Sequence, residues 1–251
     1  MTLVRAGERA FEVEGVVFDK DGTLVDLDAY WGRAARRWIE MASGGESRLA
    51  EVLRRELGYD DARGALLRDG PFSRSTLQDL ADLTVRLLVS WGVPSSDAQA
   101  RAEAARRAAI AVAGEAPVVP IGDVAGTLSR LREAGLRLAV ATADDHEAAE
   151  RGLAALGVRG LIDLVVGGDD DAPPKTDPRL LRWVAARLGT SPSRLLVVGD
   201  AELDRRMATE AAGFVAVATG GALHPEADAV VGSIDELGIE GGQPTGRDRA
   251  V

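Results

Sequence analysis

Val16-Val17-Phe18-Asp19-Lys20-Asp21-Gly22-Thr23-Leu24 decides the fold: an apolar run stops abruptly at two carboxylates separated by one residue. In a strand alternate side chains share a face, so the reading puts Asp19 and Asp21 on one side and Lys20 on the other. Gly22 then lets the backbone turn without a Cβ clash and approach a ligand closely. Two acids held at a strand end suit a divalent cation, or a nucleophile beside a proton donor. The bland alternative is an Asp-rich turn, because Asp and Gly favour turns on local grounds. A calcium loop would need Gly at its sixth position and Glu at its twelfth. Counted from Asp19, Gly22 is fourth and Tyr30 twelfth, so the calcium reading fails.

Other apolar, strand-like runs follow at 136–142, 161–167, 195–200, 214–219 and 229–231. Helix-period segments separate them, at 123–134, 144–156, 177–188 and 202–212. This alternation predicts an α/β fold, a doubly wound parallel sheet with helices on both faces. The run Leu195–Val198 is apolar throughout, as a strand covered on both sides should be.

One stretch breaks the rhythm. From Asp28 to Glu115 the pattern is helical with no convincing strand, and helices are expected at 30–41, 48–57, 76–91 and 97–113. The expected organisation is a core built from residues 1–25 and 119–237, with an inserted helical domain at 26–118. The tail, 238–251, lacks apolar content and is expected to be disordered.

Composition narrows the function. The 251 residues are 46% hydrophobic and 28% charged, an ordinary balance for a soluble protein of one or two domains. The first fifteen residues lack the apolar core of a signal peptide, and no run is long enough to span a bilayer. With no cysteine there is neither a thiolate nucleophile nor a Cys-ligated zinc site. A cytoplasmic location is the expectation. The net charge of −10 disfavours nucleic acid and anionic membranes as partners. The segment 28–118 is neutral, with 13 Arg against 13 acids, so the negative charge belongs to the remainder. Only two of the 30 basic residues are Lys, namely Lys20 and Lys175.

Three more strand ends carry polar residues where a parallel sheet places its ligands. Thr142 ends the second run, although it or Asp144 would also serve as a helix cap, Asp144 pairing with Glu147 in a capping box. Lys175 lies in a proline-stiffened loop, and a compact ammonium is a point-like phosphate binder. Asp200 and Asp204 lie about one helical turn apart at the end of the fourth run. Read alone, each has an ordinary structural explanation. The ordered set is far more specific.

The succession Asp-x-Asp-Gly-Thr, Thr, Lys and Gly-Asp-x-x-x-Asp resembles the haloacid dehalogenase superfamily of phosphohydrolases over residues 13–237. It is most similar to the phosphoglycolate-phosphatase-like branch, with Met207 and Gly213 also in the usual places. Ala143 stands where Asn is common, and Ala201 where Ser or Thr is. The resemblance implies a Rossmann-like core whose helical insert is a cap domain. It implies hydrolysis of a small phosphorylated metabolite with Mg2+ and an aspartyl-phosphate intermediate. Asp19 would be the nucleophile and Asp21 the general acid and base. Metal would be held by Asp19, the Asp21 carbonyl and Asp200, with Asp204 in support, while Thr142 and Lys175 held phosphate.

Several rivals share the fold. A dehalogenase needs no acid two residues after the nucleophile, and a phosphonate-cleaving relative would need a lysine that the insert lacks. A phosphomutase similar to beta-phosphoglucomutase stays open, as does a non-catalytic regulatory relative, although no core acid is missing. Substrate selection would fall to insert residues, for which Trp31, Arg33, Arg37 and Arg74 are the candidates, with the loop 69–74 able to reach the site.

Overall fold

The chain begins with an antiparallel hairpin, β1 (Thr2–Ala6) and β2 (Arg9–Val13), an element absent from the reading above. Its alternation is plain in hindsight, since Val4, Ala6, Phe11 and Val13 are buried while Arg5 and Glu12 face out. The computed structural model describes residues 1–67, 70–219 and 226–240.

The signature run follows as β3 (Gly15–Phe18), buried along its whole length. A helical stretch comes next, in chain order α1 (Leu27–Ser43), α2 (Ser47–Leu57), a two-stranded ribbon of β4 (Tyr59–Asp60) and β5 (Ala65–Leu66), α3 (Pro71–Arg74), α4 (Leu77–Ser90) and α5 (Ser95–Glu115). The ribbon is a small correction, for no strand was expected there. Asp26 starts α1 by accepting hydrogen bonds from the amides of Asp28 and Ala29, so this helix begins earlier than its periodicity suggested. Alanines 98, 102, 105, 109 and 113 form a buried stripe on α5, and small side chains there let α5 lie close against α1. Trp38 is buried among these helices and donates its indole N–H to Thr84 Oγ1 at 3.0 Å.

The remaining elements alternate. They are α6 (Val124–Glu133), β6 (Arg137–Ala141), α7 (His146–Ala155), β7 (Leu164–Val166), α8 (Arg179–Leu188), β8 (Leu195–Gly199), α9 (Glu202–Met207), β9 (Gly213–Val217), β10 (Ala229–Val231) and β11 (Leu237–Ile239). Six strands form one parallel sheet in the order β10-β9-β8-β3-β6-β7. Val16 and Phe18 point into one apolar cluster with Leu138 and Leu196, while Val17 points into another with Leu181 and Val184 of α8. The sheet is thus covered on both faces, as its continuously apolar strands required.

β11 pairs with β1, Leu237 is buried, and the Glu240 carboxylate meets Arg5 at 2.7 Å. Residues 238–240 therefore belong to the ordered structure, contrary to the expected disorder from 238 onward. The rest of that tail, 241–251, lies outside the described residues. The two crossings between the sheet and the helical stretch run side by side: the Asp26 amide donates to Val119 O and the Ile121 amide to Leu24 O.

Candidate active site

Chain order reverses around β3, which lies between β6 and β8, and ligands of open α/β sheets bind beyond the strand ends at such a point. The Asp19 amide donates to Val198 O at 2.9 Å and so fixes the start of the loop after β3 against β8. Beyond it the chain coils tightly, the amides of Leu24 and Val25 both donating to Lys20 O. Gly22 has φ of +92°, and a side chain there would collide with the Asp200 carboxylate. Thr219, just past β9, ties this loop down by donating to Gly22 O at 2.7 Å. Gly199 has a similar reason: any Cβ would run into the side chain of Asp204.

Asp19, Asp200 and Asp204 are all buried, and each offers a carboxylate oxygen within 4.8 Å of the others. Lys175 reaches in from the β7–α8 loop, touching Asp19 Oδ1 and meeting Asp204 Oδ1 at 2.8 Å. Asp204 Oδ2 accepts the Ala201 amide, while Asp19 Oδ2 is buried with no hydrogen-bond partner. Three clustered buried carboxylates, one with an oxygen that no protein group satisfies, fit a hard divalent cation, which takes oxygen ligands. Burial, partly offset by Lys175 and reinforced by Asp204, raises the Asp19 pKa to about 6.

Thr142 ends β6 beside them. Its Oγ1 accepts the Asp144 amide at 3.1 Å, which leaves its own hydrogen to donate to a ligand. Asp21 lines the same cleft, and burial pushes its pKa up to about 7, with Lys20 opposing and Asp144 and Asp19 adding to the rise. Six residues picked from the sequence as the chemical centre, Asp19, Asp21, Thr142, Lys175, Asp200 and Asp204, thus line or border one cleft.

The candidates on the insert divide. Trp31 and Arg74 line the cleft, as do Phe72 and Ser73 of α3. Arg33 and Arg37 do not: both are exposed, and Arg37 meets Glu40 on the outer face of α1. At ~100° per residue, positions two and six beyond Trp31 fall on the opposite side of the helix. The stretch expected as a loop folds at 71–74 into the short α3, and Asp69 lies outside the described residues.

Lys20 is the clearest departure from the sequence reading. Instead of pointing away from the acids, its ammonium lies 2.6 Å from Asp21 Oδ1 and 3.0 Å from Asp144 Oδ2. Strand geometry ends at Phe18, so alternation no longer governs the residues that follow. Burial disfavours this cation, but Asp144 and Asp21 outweigh it and hold the ammonium above its ordinary range. Thr142 or Asp144 was open as a cap of the following helix, but Asp145 holds the capping position of α7. The rarity of lysine was the signal: both lysines of the chain are buried in this site.

A family model described as haloacid dehalogenase-like hydrolase matches residues 13–213. Phosphoglycolate phosphatase of Salmonella typhimurium is 31% identical over 215 residues, covering 82% of this chain and 80% of its own. Among solved structures, a predicted phosphoglycolate phosphatase from Haemophilus somnus superposes with a TM-score of 0.64 at 19% identity, over 89% of this chain and 95% of that one. A putative beta-phosphoglucomutase from Thermotoga maritima gives 0.61 at 21% identity, over 89% and 95%. At these identities the two structures speak for the fold alone.

Proposed function

Since the chain belongs to the haloacid dehalogenase-like hydrolases, we propose that it is a Mg2+-dependent phosphatase acting on a small phosphorylated metabolite through an aspartyl-phosphate on Asp19. The observation that carries this reading is the buried Asp19 carboxylate, which has Lys175 on Oδ1, no partner on Oδ2, and two further buried carboxylates, Asp200 and Asp204, within 4.8 Å. Asp19, Asp200 and Asp204 would hold the cation, with the Asp21 carbonyl as a further ligand. When bound, the cation supplies charge neutralisation for a nucleophile that must approach a phosphate dianion.

The chain's own groups do the rest. Lys175 and the Thr142 hydroxyl hold phosphoryl oxygens in line with the Asp19 carboxylate. Asp21, whose pKa of about 7 leaves it partly protonated near neutrality, gives its proton to the departing oxygen. It then takes a proton from the water that cleaves the acyl phosphate. The helical insert covers the cleft with Leu27, Trp31, Phe72, Leu77 and Leu80. Such walls exclude water, while Ser73 and Arg74 add polar groups able to meet a second anionic group of a substrate such as phosphoglycolate.

Purified protein should release inorganic phosphate from small phosphomonoesters in the presence of magnesium and stop when EDTA removes it. Undiminished turnover after rigorous metal removal would refute the metal-dependent reading. Transfer of the phosphoryl group back to a sugar, in place of release to water, would favour the mutase.

A further inference from the structure

Among the described residues, Lys20 is the one buried cation the reaction scheme above leaves idle. Its side chain is 1% exposed and meets three elements at once: Asp21 on its own loop, Asp144 after β6, and the Tyr30 ring of α1, whose centroid lies 5.0 Å from the ammonium. Stability alone does not explain such a site. Buried ion pairs often contribute no more than well-packed apolar side chains of the same volume. Nor does composition, because 28 of the 30 basic residues are arginine. A guanidinium is a broad planar fork, whereas an ammonium fits between two carboxylates beneath a ring.

We propose that Lys20 is a positioning residue for the reaction. Anchored by Asp144 and capped by Tyr30, its ammonium binds Oδ1 of Asp21, fixes the turn of that carboxyl group and leaves the other oxygen to face the leaving group in the cleft. Tyr30 belongs to the first helix of the insert, so the clamp also ties the aim of Asp21 to the seating of that helix. This inference rests on the reading of Asp21 as general acid.

The test uses the dependence on the leaving group. kcat/KM reports the steps up to the first irreversible one, here cleavage of the ester bond, and an alkyl phosphate needs the proton far more than p-nitrophenyl phosphate does. Lys20→Met should lower kcat/KM for an alkyl phosphomonoester by ~10²-fold, the cost of a misplaced catalytic group. For p-nitrophenyl phosphate it should stay within ~3-fold of wild type. Lys20→Arg should recover part of the loss. Because Lys20→Met strands Asp144 as a buried unpaired charge, the charge-balanced double variant Lys20→Met/Asp144→Asn is measured beside it. It should fold and show the same selective loss. Asp21→Asn separates the two readings. If it too spares the activated ester, the general-acid reading holds. Equal losses on both esters in the Lys20 variants would then overturn the positioning role, as would no loss, or failure of both variants to fold. If Asp21→Asn shows no leaving-group dependence, the general-acid reading itself is wrong.

Discussion

Asp19 and Lys175 show how residue type follows from charge. An amide at position 19 is a poor nucleophile and a weaker metal ligand, so Asp19→Asn should keep the fold and lower kcat by at least ~10³. Lys175 lies in contact with Asp19 and 2.8 Å from Asp204 Oδ1, a space suited to a compact ammonium. Lys175→Arg should push the phosphoryl group out of line and cost at least ~10-fold in kcat/KM, about 1.4 kcal/mol of transition-state binding. Steady-state kinetics on a small phosphomonoester check both, and an unchanged kcat/KM in Lys175→Arg would remove Lys175 from the phosphate site. At this scale the sequence was largely legible, because acids at successive strand ends are rare as an ordered set. The direction of Lys20 and the partner of Asp144 were not legible, for a physical reason. Both were judged by the regular element beside them, strand or helix, while each sits in the irregular turn between elements, where only the folded loop decides direction.

Elements were legible wherever burial wrote a continuous pattern. All six strands of the parallel sheet stand in the sequence as apolar runs, and the central ones, β3, β8 and β9, are buried on both faces. The hairpin of β1 and β2 escaped because its strands are short and Arg5, Arg9 and Glu12 dilute the apolar signal, and β11 because it is only three residues, Leu-Gly-Ile. Helix α5 hid a different message: its repeated alanines look like mere helix propensity, yet they make the close contact with α1. Ala105→Leu, at a position with no exposure, should therefore destabilise the protein by ~1–3 kcal/mol through overpacking. Thermal unfolding measures this, and an unchanged Tm would show that the helices are not in close contact there.

Across the whole molecule, charge and metal are coupled to stability. Asp19 and Asp21 have folded-state pKa values of about 6 and about 7, both raised first by burial. A carboxyl raised on folding binds its proton more tightly in the native state. Its stabilising contribution is full below the ordinary value of ~3.9 and is lost as pH climbs through the folded value. The metal-free protein should thus lose Tm between about pH 4 and about pH 7, and saturating magnesium, which favours the ionised carboxylates, should remove most of that slope. A metal-free Tm that rises across the same window would contradict the raised pKa values of Asp19 and Asp21.

The covalent step is the centre of the account. Wild-type protein and Asp21→Asn, in which hydrolysis of the intermediate should be slowed, are mixed with substrate and magnesium, quenched in acid and analysed by peptide mass spectrometry. A phosphoryl group should appear on Asp19, more abundant in Asp21→Asn and absent from Asp19→Asn. A phosphoryl group on any other residue, or turnover in Asp19→Asn at the wild-type rate, would contradict a covalent step on Asp19.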